Sequence, residues 1–313
     1  MERRFDLQGH RGARGLRPEN TLPAIETALD LLVTTLEVDL HRTKDGVPVL
    51  FHDEALHERL ARVEGAADVP EPKNRPRLCA LTLAEIRRYI VDGNGDVQRF
   101  PEQRREPTPL AQAFAGERKL SPYVIPTLAE LLDFTVAYAG KPGERIGKSA
   151  AQRERASQIR FNLELKRVPF RPEFMGDRFD GREAAELEHS VVNCLREKNL
   201  VERCVIQSFD HRAVKAARTL EPRLTGAVLI ANTAPAQPAA LSQAAGASIY
   251  SPDFQFIDAE VVRCVQAAGL RIIPWTVNEI ADMERLLDWG VDGLITDYPN
   301  RIIPLLQMRH MRF

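Results

Sequence analysis

A histidine and an arginine stand side by side in a glycine-rich turn near the N-terminus. His10 and Arg11 lie within Gln8–Thr21, a stretch that carries further arginines. Glycines let a backbone approach a ligand closely, and a guanidinium such as that of Arg11 neutralises charge on phosphate oxygens. The turn is therefore a candidate phosphate site. Its glycines are Gly9, Gly12 and Gly15.

Two carboxylates follow on one predicted strand. Alternate side chains of a barrel strand point inward, so we expect Glu37 and Asp39 to face the lumen together. Two buried carboxylates repel each other and lose their hydration, whereas a divalent cation satisfies both. The alternative is a pair of salt bridges to lysine or arginine side chains of the barrel.

A third carboxylate repeats this pattern on the next predicted barrel strand. Asn162, Glu164 and Lys166 alternate with apolar residues, and strand pairing would bring Glu164 beside Glu37 and Asp39. Three oxygen ligands without a cysteine or histidine cluster favour Mg²⁺ or Ca²⁺ over zinc. Lys166 suits a phosphoryl oxygen; the alternative is a structural ion pair with Glu37 or Glu164.

A second histidine is expected near these carboxylates. The dipeptide Asp45-Gly46 predicts a hairpin with a two-residue loop, which places His52 across from Asp39 within a residue or two. A lone histidine is more often structural, but His10 ends the first predicted strand and should reach the same mouth. Two imidazoles beside a phosphodiester can divide the proton transfers, one accepting a proton from the nucleophile and the other protonating the leaving alcohol.

The order of predicted elements indicates which fold positions these residues. Short apolar strands alternate with amphipathic helices, which is typical of a parallel sheet built from βα units. Eight such strands predict an α/β fold of the (β/α)8 TIM-barrel type, with active groups at the carboxyl ends of the strands. The strands are expected at 5–10, 35–41, 160–166, 203–207, 224–230, 247–250, 271–276 and 292–296. Helices are expected near 20–32, 82–91, 127–139, 182–198, 210–219, 237–245, 258–268 and 279–288.

Two segments interrupt this alternation within what we interpret as one domain over residues 1–313. Residues 53–126 are proline-rich and too long for a βα loop, and they predict an inserted subdomain after the second strand, on the barrel mouth. Residues 141–160 carry six lysines and arginines against two glutamates and predict a mobile basic loop. Glu19 and Asn20 follow a proline and are as well explained by capping the first helix as by a role in the site.

Composition limits the classes of partner. A net charge of -1 argues against nucleic-acid binding, and no window of the sequence is apolar enough for a transmembrane segment or a signal peptide. We therefore expect a soluble cytoplasmic protein, although a trimmed periplasmic or secreted protein would show the same pattern. The four cysteines lack metal-ligand spacing and predict buried reduced thiols.

These motifs together resemble the glycerophosphodiester phosphodiesterase family. The resemblance is dense over residues 8–53 and returns at Ile125–Leu128, Asn162–Lys166, Gln207–Phe209, Trp275–Asn278 and Gly293–Pro299. It implies a TIM barrel that uses one divalent cation, Mg²⁺ or Ca²⁺, to hydrolyse glycerophosphodiesters to sn-glycerol 3-phosphate and an alcohol. By motif, the resemblance implies His10 and His52 as the acid/base pair, Glu37, Asp39 and Glu164 as metal ligands, Arg11 and Lys166 as phosphate contacts, and Gln207, Phe209 and Trp275 as pocket residues.

Two other functions are weighed against this one. The first is a lysophospholipase D or sphingomyelinase D-like activity on lipid diesters, which an apolar rim on residues 53–126 would favour. The second is a barrel that only binds a phosphate ligand, since a fold does not imply a function. A binding protein would not need two proton-transfer groups, so the two histidines favour an enzyme. A polar closed pocket would favour water-soluble glycerophosphodiesters over lipids. The sequence does not determine the oligomeric state.

Overall fold

Eight parallel strands surround the centre of the molecule. The computed structural model describes residues 4–56, 60–64, 76–93 and 95–313. In chain order the strands are β1 (Asp6–His10), β2 (Thr35–Arg42), β3 (Pro48–Leu50), β4 (Arg62–Val63), β5 (Tyr89–Ile90), β6 (Arg160–Leu165), β7 (Cys204–Ser208), β8 (Thr225–Ile230), β9 (Ile249–Pro252), β10 (Arg271–Ile272) and β11 (Gly293–Thr296). The eight predicted barrel strands correspond to β1, β2 and β6 to β11.

The barrel is nearly closed. Its strands lie in the order β10-β9-β8-β7-β6-β2-β1-β11, and each neighbouring pair on this path is parallel. Between β10 and β11, Ile295 donates to the Pro274 carbonyl at 3.0 Å and accepts from the Val277 amide at 2.9 Å. The predicted (β/α)8 TIM barrel is thus confirmed.

Helices surround the strands and bury one face of each. They are α1 (Leu22–Asp30), α2 (Leu83–Ile86), α3 (Pro109–Glu117), α4 (Leu128–Ala139), α5 (Lys141–Arg145), α6 (Ala150–Ser157), α7 (Glu186–Glu197), α8 (His211–Leu220), α9 (Pro238–Ala244), α10 (Ala259–Ala267), α11 (Ile280–Trp289) and α12 (Pro299–Met308). Outward residues such as Leu36, Val38 and Leu163 join the large core between strands and helices. A smaller cluster, including Val205, Ile249 and Ile295, fills the lumen. The polar side chains of the mouth lie on the same lumen-facing side of the strands.

Strand register places the carboxylates side by side. In the parallel pair of β2 and β6, Asp39 lies opposite Glu164 and Glu37 opposite Asn162. The expectation that the third carboxylate would lie beside the first two is therefore confirmed. Their neighbours Val38 and Leu163 point to the helices, as strand alternation requires.

The hairpin after β2 differs from its prediction by one residue. Leu40 pairs with Leu50, and Phe51, rather than His52, bonds to Asp39 through its amide at 3.2 Å. Thr43 pairs with Val47, whose carbonyl accepts from the Thr43 amide at 3.0 Å. The hairpin loop therefore has three residues, 44–46. Gly46 closes it in the left-handed region at φ 86°, the usual geometry of a three-residue hairpin loop.

The predicted basic loop at 141–160 is wrong, because α5 and α6 lie within it. Ser149 begins α6 with a capping box to Gln152. Lys148 anchors the segment through ion pairs to Glu26 at 2.8 Å and Asp30 at 2.6 Å. We did not predict the polar helix α6 because tertiary ion pairs of its segment, rather than an apolar stripe, hold it in place.

Residues between β3 and α4 contain, in their described part, the strands β4 and β5 and the helices α2 and α3. The sequence did not indicate α3; its proline, Pro109, occupies the first helical turn, where proline is tolerated. The assignment of residues 53–126 as an inserted subdomain stays a prediction, and residues 57–59, 65–75 and 94 of it lie outside the described residues.

Two further sequence expectations concern solubility and cysteines. No helix of the described residues has the length and apolar character needed to span a membrane. All four cysteines are free thiols, but only Cys204 is buried, and Cys264 is exposed. The expectation of buried cysteines is thus wrong for Cys264, because it lies on the outer face of α10.

Candidate active site

Three carboxylates converge at the mouth of the barrel. Glu37, Asp39 and Glu164 each offer an oxygen within 4.8 Å of the others, and all three side chains are buried. Burial, together with the neighbouring charges of Asp39 and Glu164, raises the pKa of Glu37 well above its usual value. Burial opposes ionisation of Asp39 too, but Arg11 and Lys166 outweigh it and hold the pKa of Asp39 well below its usual value. Glu37 is therefore the member of this pair whose ionised form is disfavoured, and Asp39 the one that stays ionised.

This cluster fits a hard divalent cation. Its donors are carboxylate oxygens, the type that Mg²⁺ and Ca²⁺ prefer. Asp39 Oδ1 and Glu164 Oε1 are buried without a well-formed hydrogen bond from any described residue. The Lys166 ammonium lies 3.3 Å and 2.8 Å from these two oxygens. A cation at this point would offset the repulsion among the three carboxylates.

Basic and amide groups also bond to the carboxylates. Arg11 reaches Asp39 through Nε at 3.0 Å, and its backbone amide donates to Glu37 Oε2 at 3.0 Å. Gln207 Nε2 donates to Glu37 Oε1 at 2.9 Å. Of the ion pairs considered as an alternative to a metal, those of Asp39 with Arg11 and Lys166 are present, as is the one between Lys166 and Glu164. Glu37 is held instead by an amide N–H and by Gln207.

Glu19 and Asn20 do not cap the first helix. Thr21 is the N-cap of α1, and its hydroxyl accepts from the Ala24 amide. Glu19 instead pairs with Arg11 at 2.7 Å, and Asn20 Nδ2 donates to Asp39 Oδ2 at 2.8 Å. Both side chains therefore belong to the site. The sequence did not distinguish this role from helix capping, because both residues lie just before the start of α1.

Two glycines of the turn allow its backbone to pack closely against itself and against α1. A Cβ on Gly9 would lie 2.3 Å from the Gly12 carbonyl oxygen, and one on Gly12, at φ 84°, would lie 2.6 Å from the backbone of Ala24. The turn can fold tightly against α1 only because these positions lack side chains. This tight turn aims the Arg11 amide at Glu37.

His10 ends β1 and is held from behind by a carboxylate that the sequence did not single out. Its Nδ1 lies 2.7 Å from Asp297 Oδ1, while its Nε2 lies 3.9 Å from Glu37 Oε2. Burial, and then the charge of Arg14, lowers the pKa of His10 to about 4. The position of Asp297 at the carboxyl end of a barrel strand was the signal available in the sequence.

A network of donors fixes Asp297 in turn. Arg14 binds it with two hydrogen bonds, of 2.8 Å and 3.0 Å, and Asn278 Nδ2 donates to it at 2.7 Å. Burial opposes its ionisation, but the charges of Arg14 and His10 prevail and lower the pKa of Asp297. The carboxylate is therefore ionised and correctly placed to orient the ring of His10.

His52 lies in the loop after β3 and has a different support. Its Nδ1 lies 2.6 Å from Asp53 Oδ1, and about a third of each side chain is exposed, 34% and 33%. His41, which lies in β2, is buried. Its Nε2 lies 3.1 Å from the His52 carbonyl, and this contact anchors the His52 backbone from below.

A cavity of about 330 Å³ lies above the carboxylates. It brings together nine of the ten residues that the sequence indicated, namely His10, Arg11, Glu37, His52, Glu164, Lys166, Gln207, Phe209 and Trp275. The tenth, Asp39, is fully buried beneath it. The rings of Phe209 and Trp275 meet edge to face at 5.6 Å and form an apolar wall, with Trp275 Nε1 bonded to the Ser251 carbonyl at 2.9 Å.

Comparison with known proteins gives consistent relatives. The glycerophosphoryl diester phosphodiesterase family model matches residues 10–301. A glycerophosphodiester phosphodiesterase of Bacillus subtilis (strain 168) is 29% identical over 303 residues, which are 93% of this chain and 83% of that protein. Another, from Caldanaerobacter subterraneus subsp. tengcongensis, is 27% identical over 299 residues, 95% of this chain and 96% of that protein.

Solved structures agree with this fold. A protein of Silicibacter pomeroyi DSS-3, provisionally assigned as a glycerophosphoryl diester phosphodiesterase, has a TM-score of 0.78 and 28% identity, covering 100% of this chain and 96% of that chain. A phosphodiesterase of Oleispira antarctica, solved with sn-glycerol-3-phosphate, has a TM-score of 0.67 and 20% identity with 97% of each chain covered; that likeness concerns the fold alone. Because the family model covers residues 10–301, this chain belongs to the glycerophosphoryl diester phosphodiesterase family and is an enzyme that hydrolyses phosphoric diesters.

Proposed function

We propose that this enzyme hydrolyses small glycerophosphodiesters to sn-glycerol 3-phosphate and an alcohol at the barrel mouth. The observation that carries the proposal is the convergence of two imidazoles, two cations and three carboxylates on one cavity of about 330 Å³. Family membership supports the reaction class. The presence of sn-glycerol-3-phosphate as product in the Oleispira antarctica phosphodiesterase supports the choice of product.

Glu37, Asp39 and Glu164 would hold one divalent cation, Mg²⁺ or Ca²⁺. When bound, such a cation polarises a phosphoryl oxygen and offsets the charge that develops in the transition state. The chain itself orients these ligands: Gln207 and the Arg11 amide fix Glu37. Asn20 fixes Asp39.

His10 and His52 would transfer the protons. In each ring Nδ1 is held by an aspartate, so Nε2 is the nitrogen left for the substrate. One Nε2 accepts a proton from the nucleophile, and the other donates a proton to the leaving alcohol oxygen. This division requires the rings to meet the phosphodiester from two sides, and both line the cavity.

The remaining site residues would bind the substrate. Arg11 and Lys166 carry positive charge into a buried site, where preorganised cations stabilise phosphoryl charge more strongly than in water. Phe209 and Trp275 would pack against the glycerol carbons. Gln207 lines the same cavity and donates a hydrogen bond to Glu37. By fixing Glu37, it would help to position the glycerol.

A water-soluble substrate fits the rim of the cavity better than a lipid does. The part of residues 53–126 that the structure describes exposes one large hydrophobic side chain, Val97. Arg14 and Arg99 border the cavity instead. A lipid-cleaving enzyme would need an apolar rim there to accept acyl chains.

The test is the release of phosphomonoester from a panel of glycerophosphodiesters with Mg²⁺, Ca²⁺ or excess EDTA. We expect sn-glycerol 3-phosphate to appear with a divalent cation and no turnover after chelation. Glu37→Gln, Asp39→Asn and Glu164→Gln should each weaken metal binding measured by calorimetry. Glu117→Gln, an exposed carboxylate on α3, serves as the control. Full activity in excess EDTA, with no metal found by elemental analysis, would contradict the metal-assisted reaction.

A further inference from the structure

A chain of hydrogen-bonded polar side chains crosses the lumen of the barrel and ends at Glu37. Its three amides, Gln8, Asn162 and Gln207, lie on β1, β6 and β7, and each of these residues is at most 2% exposed. Elsewhere the lumen is filled by an apolar cluster, the usual filling of such a barrel. The buried amides are therefore not explained by the need to fill space.

The chain runs from Asp6, at the start of β1, to Glu37. Gln8 Nε2 donates to Asp6 Oδ2 at 3.2 Å. Asn162 Nδ2 donates both to Gln8 Oε1 at 2.8 Å and to Gln207 Oε1 at 3.0 Å. Gln207 Nε2 donates in turn to Glu37 Oε1 at 2.9 Å. All these hydrogen bonds are buried, so water does not compete for the groups that form them.

Asp6 determines the direction of the chain. Arg160 and Arg271 form ion pairs with its carboxylate, at 2.9 Å and 3.0 Å. Burial opposes ionisation of Asp6, but the charges of these two arginines outweigh it and lower the pKa of Asp6 below its usual value. An ionised carboxylate only accepts hydrogen bonds. Gln8 must therefore turn its NH2 group toward Asp6 and its oxygen toward Asn162.

Asn162 transmits this orientation to Gln207. Because the Gln8 oxygen accepts, the NH2 group of Asn162 faces it, and the same NH2 group donates to the oxygen of Gln207. Gln207 can then present only its own NH2 group to Glu37. Without Asn162, a half-turn of the Gln207 amide would exchange its oxygen and nitrogen with little change in shape. The oxygen would then face the Glu37 carboxylate, and two acceptors repel each other.

The contribution of Asn162 lies in its donors rather than in its oxygen. Asn162 Oδ1 is buried and has no hydrogen-bond partner among the residues that the structure describes, a state that costs free energy. Its NH2 group, by contrast, joins two strands of the barrel to one chain. The side chain therefore serves the orientation of its neighbours at some expense of stability.

We propose that Asn162 is a positioning residue for the metal site. Through Gln207, it holds the Glu37 carboxylate in the orientation that receives the divalent cation. This inference rests on the proposed role of the carboxylate cluster as a metal site. Groups that orient metal ligands from behind strengthen metal binding, because less of the ligand has to be ordered when the metal binds. Asn162 is not among the residues that line the cavity, so its influence reaches the site through its neighbours.

The test is the affinity of the metal-free protein for Mg²⁺ and Ca²⁺, measured by calorimetry. Gln207→Leu should weaken binding by about 10- to 100-fold and Asn162→Leu by about tenfold, as does the loss of groups that orient metal ligands. Asn162→Ala, which introduces no new bulk into the lumen, should show the same loss as Asn162→Leu. Ser208→Ala is the control, since it breaks a buried hydrogen bond to the Leu165 carbonyl on the opposite face of β7. It should bind the metal as the wild type does.

A double-mutant cycle separates positioning from a general loosening of the barrel. If Asn162 acts through Gln207, Asn162→Leu should cause no further loss of metal affinity in a protein that already carries Gln207→Leu. Additive losses would overturn the proposal, as would wild-type affinity in Asn162→Leu and Asn162→Ala. Failure of both Asn162 variants to fold, measured by urea unfolding, would assign the side chain to stability and overturn it as well. A wild type that binds neither cation would instead overturn the proposed metal-assisted function.

Discussion

The two imidazole–aspartate pairs of the site are built in different ways. His10 and Asp297 are 287 residues apart in sequence, and they meet where β1 and β11 are paired in the barrel. Both are buried. His52 and Asp53 are sequence neighbours in a loop, and each is about one-third exposed. One pair is thus part of the barrel, whereas the other is attached to its rim.

This difference shows how rigidly each ring is held. Arg14 and Asn278 surround Asp297 with hydrogen bonds, so the orientation of His10 is coupled to packing across the barrel. His52 depends on Asp53 and on the contact of its carbonyl with His41. We expect a change behind His10 to affect both folding and catalysis, and a change behind His52 to affect catalysis alone.

The largest expected effect comes from removing the rings themselves. His10→Ala and His52→Ala should each lower the rate on a natural diester by roughly 10²- to 10⁴-fold, as the loss of a general acid or base does. A nitrophenyl diester, whose leaving group needs no proton, should rescue only the variant that lacks the acid. Steady-state rates on both substrates assign the two roles. Wild-type rates in both variants would show that these histidines are structural.

The cations beside the His10 half of the site should have the next largest effect. Arg11→Ala and Lys166→Ala should each lose about 2–4 kcal/mol of transition-state stabilisation, as does removal of a preorganised donor from a dry site. Measurement of kcat/KM gives this value directly. If either variant retains the wild-type kcat/KM, that residue only forms the ion pairs seen in the structure.

Replacing each aspartate tests the comparison itself. Asp297→Asn should lower kcat by about 10- to 100-fold, since misorientation of a catalytic group is costly. It should also lower the free energy of unfolding by about 1–3 kcal/mol, because buried Arg14 loses hydrogen bonds. Asp53→Asn should lower kcat less and leave stability within about 0.5 kcal/mol of the wild type. Urea unfolding measures stability. Equal destabilisation by the two variants would show that the His10–Asp297 and His52–Asp53 pairs do not differ in their contribution to folding.

The smallest effect is a dependence of stability on pH. Because the pKa of Asp297 is lowered in the folded protein from its ordinary value of 3.8, its contribution is present above that pH and is lost as the pH falls below it. The slope is at most about 1.4 kcal/mol per pH unit for one group. Asp297→Asn should therefore lose less stability than the wild type between pH 5 and pH 3, measured by urea midpoints. Parallel curves would mean that Asp297 is not a depressed carboxylate.

Local patterns explain why so much of the site could be predicted. The alternation in β2 and β6 aims Glu37, Asp39 and Glu164 into the lumen whatever surrounds them, because a strand turns successive side chains to opposite faces. The same holds for the strand-to-turn junction that carries His10. The prediction of a loop where α6 lies was wrong because that helix depends on the ion pairs of Lys148. The hairpin register differs from its prediction by one residue, within the stated margin, because the loop closes at Gly46.

The chain by itself determined the alternation of strands and helices, the inward carboxylates and the order of its motifs. Only the tertiary structure decided that Asp297 stands behind His10 and that Glu19 and Asn20 join the site rather than cap α1. Periodicity is a local property of a sequence, whereas the contact of Asp297 with His10 joins opposite ends of the chain and needs barrel closure. The contacts of Glu19 with Arg11 and of Asn20 with Asp39 depend on how the turn after β1 folds over the end of β2.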